Sequence, residues 1–364
     1  MVEESESSEL PAALSEAFGH LSRLRFDEFM ELALYAPASG FFATAGQAGR
    51  RGGDFITSPE VGPLFGAVVA QRLDRLWDHL EQPERFTVVE AGAGRGALAL
   101  AVRAAAPRCA HAMQWVLVER SATLRAAQNE HLEICDGDPT GTGPWFSSST
   151  DLPAAPFTGA VIANELLDNI PFRLMVRDSR WTEVCVERTA DGLAEVFVSC
   201  EKPLADRLSK LAPDARSGSR VPWQGAAATF VTRAQSLVER GMVLVFDYGR
   251  STTELTQLDQ PQWLRTYRSH ERGGDPYDSP GTRDITADVA IDQLPQADWI
   301  GTQAEWLVAN GIDQLVESAQ VAWSEQAADG GLDAVRARSV PLEADALTDP
   351  SGLGGFVALE WKQG

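Results

Sequence analysis

The sequence contains no run that approaches the roughly 20 apolar residues a helix needs to cross a bilayer. Basic residues are also in short supply: 31 Lys and Arg stand against 52 Asp and Glu, for a formal net charge of −21. A chain with this excess of negative charge is poorly suited to bind DNA, RNA or an anionic membrane surface. We therefore expect neither membrane insertion nor a nucleic-acid partner.

Cysteine and histidine are scarce as well. The four cysteines include no CxxC pair and the five histidines no H-x-x-x-H pair, so the sequence predicts no metal site and suits a reducing compartment. The first residues, MVEESESSEL, are acidic and polar, unlike a secretory signal or an Arg-rich transit peptide. We expect a protein of the bacterial cytoplasm, with residues 1–9 as a disordered tail.

Apolar residues make up 44% of the chain and occur in short runs that alternate with helical patterns. Such alternation predicts an α/β protein with a parallel, doubly wound sheet. The predicted elements are strand 86–90, helix 96–106, strand 114–119, helix 121–132 and strand 160–163. Later apolar runs predict strands at 241–249 and 355–362, the last of them antiparallel at the sheet edge.

The remaining segments divide the chain into regions. Residues 10–83 carry helical patterns, including a long helix from Pro59 to about Leu80, and predict an N-terminal helical cover or lid. Residues 172–200 alternate polar and apolar side chains between turns, which predicts an antiparallel β insertion. We expect one core domain over 84–364, with inserted elements at about 172–240 and 249–300.

The segment 86–99, FTVVEAGAGRGALA, is typical of a strand, a tight turn and a helix. It fits the dinucleotide pattern G-x-G-x-x-G/A. It also fits the pattern E-x-G-x-G-x-G expected for S-adenosylmethionine (SAM), whose matching residues are Glu90, Gly92, Gly94 and Gly96. Glycines at these positions let the backbone turn and approach a ligand closely.

Charge distinguishes the two cofactor classes. Glu90, just before the turn, would repel the pyrophosphate of a dinucleotide, whereas SAM brings a sulfonium and an ammonium against one carboxylate. Glu119 ends the next strand and can accept hydrogen bonds from ribose hydroxyls in either class. The sequence therefore favours SAM. The alternative is a glycine-rich turn with surface acids and no ligand.

A second group of polar residues follows the fourth strand, in VIANELLDNIP (161–171). Asn164 is expected at the carboxyl end of the strand, beside the cofactor methyl group. If the following turn is helical, Glu165 and Asp168 share a face and could hold an amine or guanidinium for displacement. The alternative is that Asn164 caps a helix and the acids form its solvated first turn.

Four longer segments of the chain form a distinctive set: GGDFITSPEVGPLFG (52–66), VVEAGAGRGALA (88–99), VIANELLDNIP (161–171) and RSHERGGDPYDSPGTRDIT (268–286). They resemble the MidA-like SAM-dependent methyltransferases, a family that includes the mitochondrial protein-arginine methyltransferase assisting respiratory complex I assembly. The resemblance covers about residues 25–362.

The resemblance implies a Rossmann-like class I SAM-dependent methyltransferase core and SAM as cofactor. It implies that Asp54, Thr57 and Ser58 close over the cofactor. His270 lies in a polar loop and is a catalytic candidate as general base, with a loop-ordering hydrogen bond as the alternative. One position departs from the expected pattern: Asp288 stands where the family has histidine, which puts the substrate contact at that position in doubt.

Three functions stay open at this point. The first is a protein-arginine methyltransferase whose protein substrate, by resemblance, is a subunit of the respiratory NADH dehydrogenase (complex I type). The second is a methyltransferase for a small molecule, and the third is a SAM-binding assembly factor without essential catalysis. An NAD-dependent oxidoreductase is disfavoured by Glu90. The oligomeric state is left open, with a homodimer as one alternative.

Overall fold

The computed structural model describes residues 10–44, 57–135, 142–268, 271–326 and 332–364. Its internal contacts divide the chain into two units, each assembled from separate segments. Unit 1 takes the described parts of Met1–Asp54, Leu167–Thr229 and Gly249–Pro295. Unit 2 takes the described parts of Phe55–Leu166, Phe230–Tyr248 and Gln296–Gly364.

The strands, in chain order, are β1 Arg23–Arg25, β2 Phe86–Ala91, β3 Met113–Val118, β4 Trp145–Ser149, β5 Phe157–Asn164, β6 Arg173–Arg177, β7 Trp181–Thr189, β8 Gly192–Ser199, β9 Arg220–Trp223, β10 Val238–Asp247, β11 Gly249–Arg250, β12 Leu264–Arg268, β13 Glu271–Arg272, β14 Asp284–Ala287, β15 Val289–Ala290, β16 Trp299–Thr302 and β17 Val357–Gln363. The α-helices are α1 Ala12–His20, α2 Phe26–Tyr35, α3 Phe41–Thr44, α4 Ser58–Val61, α5 Pro63–His79, α6 Ala97–Ala105, α7 Ala122–Gln128, α8 Lys202–Leu211, α9 Gly225–Leu237, α10 Thr252–Leu255, α11 Gln260–Trp263, α12 Gln303–Ala309, α13 Ile312–Gln326 and α14 Leu332–Thr348.

Unit 2 is built on a seven-stranded sheet of order β16-β17-β10-β5-β2-β3-β4. The chain runs outward from β2 to β4 on one side and then returns to place β5 on the other side of β2. This reversal creates a topological switch point, where ligands of doubly wound sheets bind. Ala91 lies opposite Ala163 in the parallel β2–β5 pair, so the residues that follow both strands leave the sheet side by side.

The interior strands of this sheet are buried on both faces, which explains why their sequences read as continuous apolar runs. Along β10 every residue from Gly241 to Asp247 is buried. Phe246 packs against Phe65 of α5 and Trp306 of α12, with ring centroids 5.2 and 4.9 Å away. The sheet is therefore packed against α5 and α12, and its carboxyl edge is a firm base for a site.

Unit 1 contains an antiparallel sheet in which β7 is the central strand. β7 pairs with β1, β6 and β8, and β6 also pairs with β9. Its core includes Phe26, Phe29, Phe172 and Trp263, all fully buried. The predicted antiparallel insertion is confirmed. Two smaller sheets, β11–β15 and β13–β12–β14, belong to the same unit.

Three expectations for unit 2 need correction. The long helix predicted from Pro59 to Leu80 is interrupted, because Gly62 is extended between α4 and α5. At this break the Leu64 N–H donates to the Glu343 carboxylate of α14 (3.1 Å), and a side chain on Gly62 would collide with that carboxylate.

The last strand, β17, is antiparallel as expected but is not the edge, since β16 pairs with its outer side. The segment around Trp145, expected to be a loop, contains β4.

The predicted boundary near residue 83 does not coincide with a division between the two units, since α5 packs within unit 2. Among the residues that the structure describes, no helix has both the length and the apolar character required to span a membrane.

Candidate functional site

The glycine turn between β2 and α6 has the backbone conformation that only glycine adopts without strain. Gly92, Gly94 and Gly96 have φ values of 70°, 51° and 82°. A Cβ on Gly96 would lie 2.9 Å from the Leu117 side chain, so Gly96 is also required for packing. A Cβ on Gly94 would meet no heavy atom of the described residues within 4 Å. The space in front of Gly94 is therefore open to a ligand.

The N–H groups of the same turn are directed to protein acceptors. Gly92 N–H donates to the Val118 carbonyl (2.9 Å), Gly94 N–H to Glu119 Oε2 (3.0 Å), and Gly96 N–H bonds back within the turn (2.8 Å). Phosphate cradles at helix N-termini depend on N–H groups that point at the ligand. Because these three donors are already used, the turn is a poor site for a dinucleotide pyrophosphate.

The Glu119 side chain accepts hydrogen bonds from the glycine turn and from the residue that precedes helix α7. Its Oε2 binds Gly94 N–H and its Oε1 binds Ser121 N–H at 2.8 Å. Burial raises the pKa of this carboxyl. The backbone N–H of Arg120 donates to the same carboxylate, which has about four acceptor positions in all, so a position remains for a hydroxyl. The arrangement fits the predicted role of Glu119 toward a ribose diol.

Gln128 also contacts the turn, and sequence reasoning missed it. The side chain is fully buried, donates from Nε2 to the Gly94 carbonyl (2.8 Å) and accepts from Ser148 Oγ at Oε1 (2.6 Å). The only signal in the sequence is a glutamine on the buried face of a short helix. Nothing local indicates that it reaches the glycine turn.

Glu90 has a structural role that the sequence did not suggest. Its carboxylate accepts the Trp115 indole N–H (2.8 Å) and the backbone N–H of Ala99, the third residue of α6. It thereby caps the helix that follows the glycine turn. Burial raises the pKa of Glu90 to about 8, against the effect of these hydrogen bonds. Direct contact between Glu90 and a cofactor stays a prediction.

Asn164 and Glu165 meet at the carboxyl end of β5. Glu165 has a φ of 50°, a strained value for a non-glycine residue, and its N–H donates to the Phe246 carbonyl (2.8 Å). Glu165 Oε1 accepts the Asn164 Nδ2–H (3.0 Å) and the Ser58 N–H (3.4 Å). Asn164 Oδ1 is buried and has no hydrogen-bond donor among the described residues. A buried acceptor without a donor indicates that a donor is supplied by something else.

The predicted lid residues are held by the protein itself. Ser58 is fully buried and its hydroxyl donates to Gln303 Oε1 (2.9 Å). Thr57 precedes α4, and its N–H donates to Glu60 Oε2 (3.2 Å). Cofactor contacts by Thr57 and Ser58 stay predictions. Two further predicted site residues, Asp54 and His270, lie outside the described residues.

The helical turn assumed for residues 165–168 is wrong, because the positive φ of Glu165 prevents it. Asp168 lies instead in a single 3₁₀ turn, Leu167–Asn169, and belongs to unit 1, whereas Glu165 belongs to unit 2. The Asp168 side chain is buried there. Burial raises its pKa to about 7, while the positive charge of Arg265 lowers it. Binding of an acceptor guanidinium by Asp168 stays a prediction.

Asp288, at the position where histidine was expected, is part of the same cluster in unit 1. It is 2% exposed, and its two oxygens pair with Arg265 Nη1 (2.6 Å) and Arg250 Nε (2.7 Å). A carboxylate held by two guanidinium groups is a structural element of the unit. The replacement of histidine therefore has a local explanation in the ion pairs it forms.

The strand order of unit 2, with its glycine turn at the switch point, defines a Rossmann-like class I SAM-dependent methyltransferase fold. A family model described as "Putative S-adenosyl-L-methionine-dependent methyltransferase" matches residues 68–309, about two thirds of the chain. The chain belongs to this family. The predicted family resemblance and the choice of SAM as cofactor are both confirmed.

Two groups of similar proteins have been described. Curated relatives include "Protein arginine methyltransferase NDUFAF7 homolog, mitochondrial" of Drosophila melanogaster (27% identical) and "Protein arginine methyltransferase NDUFAF7, mitochondrial" of Danio rerio (26%). The matches cover 72% and 80% of this chain, but only 63% and 74% of those proteins. A crystal structure from Burkholderia thailandensis, described as a "likely methyl transferase" bound to S-adenosyl-homocysteine, has a TM-score of 0.77. It is 26% identical and covers 96% of this chain and 90% of that one.

Proposed function

We propose that this protein transfers a methyl group from SAM to an arginine nitrogen of a protein substrate. The observation that carries the proposal is the group at the carboxyl end of β5, where a buried acceptor, Asn164 Oδ1, lies beside the Glu165 carboxylate. An acceptor beside a carboxylate is suited to a cationic group with several N–H donors, which describes a guanidinium. The names of the curated relatives support the same acceptor.

The residues that we assign to the cofactor are suited to bind SAM. The open space at Gly94 admits a ligand close to the backbone, and Glu119 offers acceptors for ribose hydroxyls. When bound, SAM supplies an electrophilic methyl group on a sulfonium. The protein's contribution is to hold an acceptor nitrogen in line with that methyl group and to stabilise the positive charge of the substrate guanidinium.

Asn164 and Glu165 have different parts in this proposal. Glu165 fixes the amide of Asn164 by accepting its Nδ2–H, which leaves Oδ1 as the atom that faces the acceptor nitrogen. The negative charge of Glu165 stabilises the cationic guanidinium. The strained backbone at Glu165 is the local cost of this arrangement.

The substrate we propose is a basic protein, and a subunit of the respiratory NADH dehydrogenase is the specific candidate. The net charge of −21 favours association with a basic partner. The name NDUFAF7 of the relatives agrees with this candidate. A cytoplasmic location stays a prediction from the sequence.

The test combines titration calorimetry with S-adenosylhomocysteine (SAH) and transfer of labelled methyl groups from SAM into a cell lysate, resolved by gel. We expect a labelled protein band that carries methylarginine. Glu165→Gln and Asn164→Ala should bind SAH nearly as well as the wild type and transfer methyl groups roughly 10²-fold more slowly. Label found only in small molecules would exclude a protein substrate.

Glu119→Ala is the matched control, because it removes an acid assigned to the cofactor. We expect weak SAH binding, with methyl transfer partly restored at high SAM concentration. If Glu165→Gln instead loses SAH binding and transfers methyl groups normally at saturating SAM, Glu165 belongs to the cofactor site and the assignment to the acceptor is wrong.

A further inference from the structure

We propose that Gln128 is a positioning residue for the cofactor: its side-chain amide fixes the Gly94 peptide in the conformation that a bound ligand requires. This inference rests on SAM binding by the glycine turn, as described under the proposed function. It adds a residue that lies 34 positions after Gly94 in the chain, at the end of helix α7.

The orientation of the Gln128 amide is fixed by its partners. Nε2 donates to the Gly94 carbonyl at 2.8 Å, and Oε1 accepts the Ser148 hydroxyl at 2.6 Å. The reversed amide would place Oε1 against the Gly94 carbonyl, and two acceptors cannot bond. The side chain is fully buried at the end of α7, so water does not compete for these bonds.

Gly94 is held on both sides of its α-carbon. Its N–H donates to Glu119 Oε2 at 3.0 Å, and its carbonyl accepts from Gln128. The first bond fixes the peptide plane before the α-carbon and the second fixes the plane after it. Glu119 and Gln128 together therefore determine both backbone angles of Gly94.

Fixing both backbone angles from outside matters more for glycine than for any other residue. Glycine has the widest range of accessible backbone angles, and the turn at Gly94 has no side chain to limit it. Gly94 is also the position where the space beside the backbone is open. A turn that is already in its bound conformation loses less entropy when a ligand binds, so Gln128 should increase affinity through preorganisation.

The alternative is that Gln128 stabilises only the fold, as buried and fully bonded polar side chains commonly do. The two roles differ in what they change. A purely structural residue lowers the melting temperature but leaves the SAH affinity of the folded protein unaltered. A positioning residue changes that affinity as well.

The test compares Gln128→Met with Gln293→Met, each measured for melting temperature and for SAH affinity by calorimetry well below melting. Gln293 is an equally buried glutamine of unit 1, and it donates to the Pro222 carbonyl and to Thr252 Oγ1 at 3.0 and 3.1 Å. We expect both variants to melt at lower temperature. Only Gln128→Met should lose SAH affinity, by roughly tenfold or more, as expected for the loss of a buried hydrogen bond.

Ser148→Ala provides a milder variant in case Gln128→Met does not fold. It leaves Gln128 in place and removes the hydroxyl that orients it, so we expect a loss of SAH affinity of about two- to fivefold. Unchanged SAH affinity in folded Gln128→Met, or in Ser148→Ala if only that variant folds, overturns the inference while the proposed function stands. Failure of the wild type to bind SAH removes both.

Discussion

Two clusters of buried carboxyl groups, one in each unit, differ in the kind of group that contacts them. In unit 2, Glu90 and Glu119 are bonded to the neutral N–H groups of an indole and of the backbone. In unit 1, Asp288 forms ion pairs with two guanidinium groups, those of Arg250 and Arg265. The first cluster is therefore held by neutral donors and Glu90 keeps its proton up to about pH 8, whereas the carboxylate of the second is balanced by cations within the protein.

The difference separates acids that can serve a ligand from acids that serve the fold. Neutral donors orient a carboxyl group without supplying a positive charge, so a cationic ligand bound beside it would stabilise the ionised form and gain from its charge. Ion pairs with arginine cancel that charge and tie distant segments together. Asp168, whose neighbours are Arg265 and Asp288, is in the second environment, although its sequence position next to Asn164 and Glu165 predicted the first.

The largest expected effect tests the structural cluster. Asp288→Ala removes a buried carboxylate that pairs with the buried guanidinium of Arg265, which should lower the free energy of unfolding by about 3 kcal/mol. SAH affinity of the folded protein should change by less than roughly threefold, because the comparison assigns Asp288 to the fold of unit 1 and not to the ligand site. Urea denaturation and calorimetry measure the two quantities.

Asp206→Ala is the control for this first change, since Asp206 forms an exposed ion pair with Lys202 and its loss should cost less than about 0.5 kcal/mol. If Asp288→Ala abolishes SAH binding while the protein stays folded, Asp288 does not belong with the structural acids and the comparison fails.

The next prediction tests whether a ligand occupies the open space beside the glycine turn. Gly94→Val places a branched side chain where a ligand approaches the backbone and forces valine to a φ of 51°. We expect SAH affinity to fall by roughly 10² or more, with a loss of about 1–3 kcal/mol of stability from backbone strain.

Gly218→Val separates the two contributions to that result. Gly218 also has a positive φ, 89°, and a Cβ there would meet no described heavy atom within 4 Å, but it lies in unit 1. We expect a similar loss of stability with unchanged SAH affinity. Equal SAH affinity in Gly94→Val and the wild type would show that the turn is not the cofactor site.

The last prediction concerns the pH dependence of stability that Glu90 contributes. Because burial raises its pKa to about 8, the folded state keeps a proton that the unfolded state releases near pH 4.5. The unfolded state binds fewer protons over that interval, so the free energy of unfolding falls as pH rises from about 4.5 to 8. Relative to Glu90→Gln, the wild type should lose roughly 3 kcal/mol of its free energy of unfolding between pH 5 and 8.

Denaturant titrations of both proteins at several pH values measure this difference. The comparison of slopes removes any constant effect of the glutamine on packing. Parallel stability profiles for the two proteins would mean that Glu90 is already ionised in the fold, and its pKa would then have to be near that of an exposed carboxyl.

The sheet of unit 2 could be predicted from the sequence because its interior strands are long apolar runs. The predicted strands at 86–90, 114–119 and 160–163 lie within β2, β3 and β5 or differ by a residue at an end. β4 was missed because it carries three serines and only one buried residue, Phe146, so neither alternation nor an apolar run marks it. The strands of the β12–β14 sheet were missed because the surrounding glycine, proline and aspartate favour a loop.

The candidate site could be predicted in part. Glycines at residues 92, 94 and 96 occupy positive φ, as the motif requires. What could not be predicted are contacts between residues far apart in the chain, such as Gln128 with Gly94 and Asp288 with Arg250. Nor could the capping of α6 by Glu90 be inferred, since strand position alone does not reveal which donor a carboxylate meets.

The ties between the first and last parts of unit 2 have a consequence for its synthesis. Ser58 bonds to Gln303, 245 positions later, and Leu64 bonds to Glu343, 279 positions later. At translation rates of roughly 5–20 residues per second, α5 waits on the order of tens of seconds on the ribosome before its capping glutamate has been made. Throughout that interval the apolar face of α5 lacks its final neighbours, and the glycine turn is synthesised before the segment that bonds to α4.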